Sequence, residues 1–135
     1  MFRILNDNMM NVPSQLRYSK EHEWIRLENG KAFVGITDYA QKELGDIVFV
    51  EIDTLGETLN KDDLFGTVEA VKTVSDLYMP VGGKVIAVNE ALANHAEQIN
   101  QDPYGEGWMI QVEVADPTEW ESLLNAEQYR EIIGA

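Results

Sequence analysis

The first third of the chain carries a period-two pattern. His22-Glu23-Trp24-Ile25-Arg26-Leu27 alternates, Glu28-Asn29-Gly30-Lys31 breaks the run, and Ala32-Phe33-Val34-Gly35-Ile36 resumes it. Alternation of this kind predicts half-buried strands, and Asn-Gly supplies the positive φ angles of a tight hairpin turn. Thr37 or Asp38 is placed to cap a short helix running to Leu44, with Gly45 as its stop. The unbroken apolar text of Ile47 to Ile52 then predicts a buried strand.

The middle of the chain predicts a second hairpin. Leu64 to Val71 and Asp76 to Val81 are strand candidates around Lys72-Thr73-Val74-Ser75, and Pro80 belongs at a strand end because it has no N–H for a ladder. Gly82-Gly83 turns into a strand over Lys84 to Val88. Asn89 to Ile99 reads as loop or weak helix, Asp102 to Gly107 as a turn cluster, and Trp108 to Val114 as a strand. Asp116-Pro117-Thr118-Glu119 has the order of a helix start, after which Trp120, Leu123 and Leu124 share one face, and Tyr129, Ile132 and Ile133 another. Many short strands with a helical C-terminus predict a mainly β fold with short helices, a small barrel or sandwich.

Composition removes whole classes of function. The 135 residues hold 44% apolar side chains and no cysteine, which suits one ordinary core without disulfides or thiolate metal sites. Ten Lys plus Arg against 24 Asp plus Glu give a net charge of −14, which disfavours nucleic acid and anionic membranes as partners. The same excess acid either keeps the protein soluble or steers it toward basic docking surfaces. No apolar run is long enough to span a bilayer. The opening MFRILNDNMMN lacks a targeting pattern, and Met9-Met10 leaves room for a later start, so a cytoplasmic, bacterial-type protein is expected.

Catalytic constellations are missing from the text. Two histidines, His22 and His95, show no metal-ligand spacing, and no phosphate loop or nucleophile elbow occurs. No catalytic or metal-binding residue is therefore assigned, and His22 reads as a structural or exposed residue of an edge strand. Five of the six lysines lie in turns or on polar faces. Lys72 differs, because it falls at a hairpin crest among Val71, Thr73 and Val74. Such neighbours give a stiff, partly apolar tip suited to recognition by another protein. Geometry alone favours an ordinary turn lysine over a recognition site. A Schiff-base lysine needs a desolvated site, which a hairpin crest does not offer.

The stretch Gly66-Thr67-Val68-Glu69-Ala70-Val71-Lys72-Thr73-Val74-Ser75-Asp76 through Val85 resembles the lipoylation segment of the glycine cleavage system H proteins. Three further blocks resemble the same family in the right order: Tyr18 to Trp24, Gly35 to Glu51, and Ile99 to Met109. The resemblance covers about Arg17 to Ile133. It implies a barrel-sandwich hybrid resembling a lipoyl or biotinyl domain, with a C-terminal helical segment. Residues 17–135 would form this carrier domain, and residues 1–16 a non-essential extension.

The resemblance also implies a role for particular residues. Lys72 would carry one lipoic acid in amide linkage, which changes the net charge from −14 to −15. The lipoate-attaching enzyme would read Glu69, Asp76, Gly83 and Gly56, while Glu23 and Tyr39 would contact the loaded arm in a cleft. Ala70 stands where the family commonly has serine, and Tyr39 where it often has histidine. As a monomeric, non-enzymatic carrier, the chain would serve three enzymes in turn. These are the pyridoxal-phosphate glycine decarboxylase, the tetrahydrofolate-dependent aminomethyltransferase and the FAD-dependent dihydrolipoyl dehydrogenase. Competing expectations are an H-like protein that relays lipoate, and a lipoyl or biotinyl domain of another complex. The latter typically shows Asp-Lys-Ala or Met-Lys-Met rather than Val-Lys-Thr.

Overall fold

The Asn-Gly turn forms as its sequence requires, with Asn29 at φ 54° and Gly30 at φ 79° joining β2 (Glu23–Glu28) to β3 (Lys31–Ile36). The computed structural model describes residues 10–135. Expectations about the first nine residues, including a targeting segment, lie outside them. In chain order there follow α1 (Asp38–Leu44), β4 (Ile47–Glu51), β5 (Thr58–Leu59), β6 (Leu64–Ala70), β7 (Val74–Tyr78) and β8 (Gly83–Val88). A 3₁₀ turn at Glu90–Ala93, α2 (Gln98–Gln101), β9 (Ile110–Val114), α3 (Thr118–Glu121) and α4 (Ala126–Ile133) complete it, with β1 (Arg17–Tyr18) at the start.

Two antiparallel sheets face each other. One has six strands in the order β1-β2-β3-β9-β8-β5, and the other three in the order β4-β6-β7. Their inner faces bury Ile25, Val34 and Val112 from the large sheet against Phe65, Val68 and Leu77 from the small one. This is the mainly β, barrel-sandwich arrangement that the pattern and the resemblance imply. A second apolar cluster lies behind the large sheet, where Val12, Leu16, Tyr18, Trp24, Ala126 and Tyr129 meet. Strand β2 therefore buries both faces, Ile25 toward one cluster and Trp24 toward the other. Gly35 makes room for Trp24, since a Cβ there would come within 2.7 Å of the indole Nε1. That indole donates to the Pro103 carbonyl at 2.9 Å.

Several elements differ from expectation. The strand at Ile47 is only partly buried: Ile47 turns inward and Val50 packs partly on the core, while Val48 and Phe49 are 54% and 49% exposed, because β4 is an edge of the small sheet and bulges at Val48. The second arm of the hairpin is Val74–Tyr78 rather than Asp76–Val81, so the tip shortens to Val71–Thr73 and Pro80 lies beyond the strand. His22 stands in a turn before β2, at φ 73°, rather than in the strand. The C-terminal helix is two helices. Asp116 Oδ1 accepts from the Thr118 N–H at 3.0 Å, but the helix opens one residue later than expected, with Pro117 in the N-cap place. The chain then leaves the helix because Leu124 bridges to Tyr18, and a capping box of Asn125 and Gln128 starts α4. Tyr129 and Ile133 face the second cluster, whereas Ile132 points outward, 48% exposed.

Residues 10–16 pack on the domain. Val12 and Leu16 are 4% and 6% exposed, and the Tyr18 hydroxyl donates to the Pro13 carbonyl at 2.5 Å. Leu16→Ala is expected to cost about 2–3 kcal/mol of unfolding free energy, as for other buried leucine truncations. Leu55→Ala, at an exposed position, is expected to stay within about 0.5 kcal/mol. Urea titration of both variants checks this, and equal midpoints would mean that the segment contributes nothing.

Candidate carrier lysine and its cleft

Lys72 stands where the β6–β7 hairpin reverses. Glu69 pairs with Val74, and the Ala70 N–H donates to the Thr73 carbonyl at 2.8 Å, which leaves Val71 and Lys72 as the crest. The Val71 N–H donates to the Asp46 carbonyl at 3.0 Å and ties the crest to the end of α1. Gly45, the C-terminal residue of that helix at φ 82°, lies beneath the lysine stem: a Cβ there would sit 3.6 Å from Lys72 Cε. The side chain is exposed, with Val71 and Val74 beside it 77% and 61% exposed. A cationic, solvated amine on a fixed tip, among apolar neighbours, is accessible to an enzyme that acylates it.

Along β7 from this tip opens a cleft of about 280 Å³. Its apolar floor is Ile36, Val68 and Leu77. Tyr39, Ala40, Glu43 and Leu44 of α1 form one wall, the Glu21-His22-Glu23 turn another, and Ser75 and Asp76 the rim. Its lining holds four carboxylic acids, Glu21, Glu23, Glu43 and Asp76, and no lysine or arginine. Such a site favours a cation at the end of an apolar chain and disfavours an anion. Asp76 lies four residues from Lys72, roughly 13 Å along an extended strand. An acyl chain on Lys72 spans that distance, so the lysine, the apolar floor and the acidic rim fit a lipoyl arm.

Glu23 is the buried member of the acidic set, 1% exposed. Its carboxyl accepts from Ser19 Oγ at 2.5 Å and from the Tyr78 N–H at 3.1 Å, so it joins the turn before β2 to the end of β7. Burial pushes its pKa from 4.5 up to about 7, against the two hydrogen bonds that favour the anion. His22 lies beside it with its Nδ1 2.8 Å from the Tyr129 hydroxyl, and burial lowers its pKa below the ordinary imidazole value. The Tyr129 hydroxyl is also 2.7 Å from Thr37 Oγ1, whose oxygen caps α1.

The structure thus brings Glu23, Tyr39 and Asp76 to one cleft, with Lys72 at its end. Glu69 projects elsewhere: it pairs across the small sheet with Phe49 and Val74 on the outer face. Gly83 begins β8 of the large sheet, and Gly56 lies in the turn before β5, its N–H donating to the Val85 carbonyl at 2.8 Å; both serve the backbone. Gly56 adopts φ 88°, and a Cβ on Gly83 would fall 2.7 Å from Val112 Cγ1 and closer still to the Glu113 carbonyl. Sequence reasoning missed Ser19, Thr37, Tyr78 and Tyr129 as supports of the cleft. The Ser19–Glu23 turn is local enough to have suggested one of them. Tyr129 is 107 residues from His22, and nothing in the text links the two.

Among the described residues no group of three His, Cys, Asp or Glu side chains is placed to hold a metal ion, and no helix is long and apolar enough to cross a membrane. A larger hollow of about 520 Å³, lined by Tyr18, Lys20, Lys61 and Leu124 among others, shares only Glu21 with the cleft and is not lined by Lys72.

The Glu23 shift has a sign that can be measured. Its folded-state pKa exceeds the unfolded value, so between 4.5 and about 7 the folded state binds more protons and stability falls as pH rises. Glu23→Gln is expected to remove that loss, on the order of 3 kcal/mol for a shift of this size. Denaturant midpoints of both proteins across this pH window test it, and parallel curves would contradict the assignment.

The chain is similar to known proteins over most of its length. Residues 16–135 match the family described as glycine cleavage H-protein. A glycine cleavage system H protein of Salinibacter ruber is 58% identical over 123 residues, covering 91% of this chain and 99% of its own. One from Bacteroides thetaiotaomicron is 55% identical over 124 residues, covering 92% and 98%. The crystal structure of a glycine cleavage system H protein from Mycobacterium marinum superposes with a TM-score of 0.85 at 37% identity, covering 92% of this chain and all of that one. With a family match over residues 16–135, full-length relatives and a shared fold, the chain belongs to the glycine cleavage H-protein family, the lipoyl carriers of glycine catabolism.

Proposed function

We propose that this chain carries lipoic acid on Lys72 and shelters the loaded arm in the acidic cleft between α1 and β7. The observation that carries the reading is the placement of an exposed hairpin lysine at the end of a cleft with an apolar floor and four carboxylic acids. When bound, the lipoyl group supplies a dithiolane that accepts an aminomethyl group and two electrons. The protein's own part is to present, receive and release it. Lys72 is held out by the Ala70–Thr73 and Val71–Asp46 bonds, which keep the crest fixed while the side chain swings. The apolar floor excludes water from the arm. A protonated amine at the arm's end attracts Glu23 and Asp76, and its arrival favours ionisation of Glu23, whose empty-cleft pKa near 7 leaves it poised to respond.

The partners follow from the same chemistry. The lipoate-attaching enzyme acts on the Lys72 amine itself and must contact the residues around the crest, with Glu69 on the outer face as its acidic mark. Glycine decarboxylase loads the arm, the tetrahydrofolate-dependent aminomethyltransferase unloads it, and dihydrolipoyl dehydrogenase reoxidises it. Tethering holds the intermediate at an effective concentration of about millimolar near a docked partner. Glutamates and aspartates over the surface, part of a net charge of −14, suit partners with basic docking faces.

Incubation with a lipoate ligase, ATP and lipoic acid is expected to add one lipoyl mass to the intact protein, and none to Lys72→Ala. No increment on a correctly folded chain, under conditions that modify a known acceptor, would sink the reading. Glu23→Ala is expected to accept lipoate normally but to shorten the lifetime of the loaded arm. An unchanged lifetime would remove the cleft from the function.

A further inference from the structure

The cleft wall contains an imidazole, and a free imidazole is a hazard to the group that the proposed function places there. An aminomethyl thioether is persistent while its nitrogen is protonated. If a base removes an N–H proton, the nitrogen lone pair forms a C=N bond as the C–S bond breaks. Sulfur leaves as thiolate, and water converts the released methaniminium to formaldehyde and ammonium, with no redox change. A neutral histidine beside the arm is the side chain best suited to take that proton near neutral pH.

The hydrogen-bond chain behind His22 shows which of its nitrogens is basic. Thr37 is fully buried, and its Oγ1 accepts from the Ala40 N–H at 3.1 Å. Its own hydrogen has one partner among the described residues, the Tyr129 oxygen at 2.7 Å. If that hydrogen points elsewhere, a buried hydroxyl is left unsatisfied, which costs roughly 1–3 kcal/mol. With Thr37 donating to Tyr129, the single Tyr129 hydrogen is free to go to His22 Nδ1 at 2.8 Å. All three groups are then satisfied, and His22 carries its hydrogen on Nε2. Burial, which disfavours the imidazolium, keeps the ring in this neutral form. The Tyr129 ring is fixed in turn by stacking on Tyr18 at 4.7 Å.

We infer that Tyr129 is a positioning residue that locks His22 as the Nε2–H tautomer, so that the ring nitrogen left for the cleft is a donor and not a base. This rests on reading the cleft as the shelter of the loaded arm. It explains how a cleft can include an imidazole and still protect a base-labile group: the lone pair is spent on a tyrosine hydroxyl inside the core.

The test uses Tyr129→Phe, which keeps the ring and its stack and removes only the hydroxyl, alongside His22→Asn and the double variant. Asparagine suits the positive φ at position 22. In the unmodified, folded protein, nitrogen-15 shifts of the His22 ring are expected to show Nε2–H, and Tyr129→Phe to show a mixture with Nδ1–H. In the lipoylated protein loaded with glycine by a glycine decarboxylase, Tyr129→Phe is expected to shorten the half-life of the adduct by about tenfold, less than the roughly 10²–10⁴-fold of a fully positioned base because only part of the His22 population becomes basic toward the cleft. The double variant should return to the half-life of His22→Asn alone. An Nδ1–H signal in the parent protein overturns the inference, and so does a double variant as short-lived as Tyr129→Phe, which would make Tyr129 merely structural. If Glu23→Ala leaves the half-life unchanged, the cleft reading fails instead, and the nitrogen-15 result still decides the tautomer.

Discussion

The bond from the Tyr78 N–H to the Glu23 carboxyl is the constraint on which the functional geometry depends. The two sheets share an apolar core, but apolar contact is non-directional and permits sliding. Glu23 adds a directional tie. It stands at the head of β2 in the large sheet and grips the end of β7 in the small one, while Ser19 closes the turn behind it. The distance between the hairpin and the large sheet, which is the width of the cleft, is set at that point. Burying a carboxyl there is costly, as its raised pKa records. A glutamine would make the same tie at less cost, so stability alone does not explain an acid at this position. The cation that the proposed function places in the cleft does.

Charge is arranged to match. In the proposed function, acylation turns the amine of Lys72 into a neutral amide. Any positive charge delivered to the cleft then comes from the cargo. Four carboxylic acids with no lysine or arginine in the lining give it a favourable end point. Shallow members such as Glu43 and Asp76 are solvated and screened, whereas Glu23 sits where the effective dielectric is lower and each charge counts for more.

Much of this was legible in the text because it is local. The Asn29-Gly30 turn, the Thr37 cap and Gly45 stop, and the hairpin around Lys72 each depend on residues a few positions apart, and the structure has them all. What failed depends on pairing at a distance. Ile47 to Ile52 reads as buried by composition, yet strand order puts β4 at an edge and leaves Phe49 in solvent. The C-terminal helix splits because Leu124 pairs with Tyr18 across the whole chain, a contact no periodicity announces. Of the cleft, the resemblance implied Glu23 and Tyr39. The supports at Thr37, Tyr78 and Tyr129 act through backbone or hydroxyl groups, whose partners only the fold reveals.

The second apolar cluster has a consequence for how the carrier works. Residues 10–16 and α4 come from opposite ends of the chain and meet behind the large sheet, where Tyr18 and Tyr129 stack. Neither segment lines the cleft. Yet Tyr129 is the group that reaches through to His22 and to the Thr37 cap, and so holds two walls of the cleft from behind. The hairpin suffices to present a lysine. Residues 10–16 and α4 brace that wall from behind, and if the cleft shelters the arm as proposed, this bracing is the part of the fold that the hairpin does not supply.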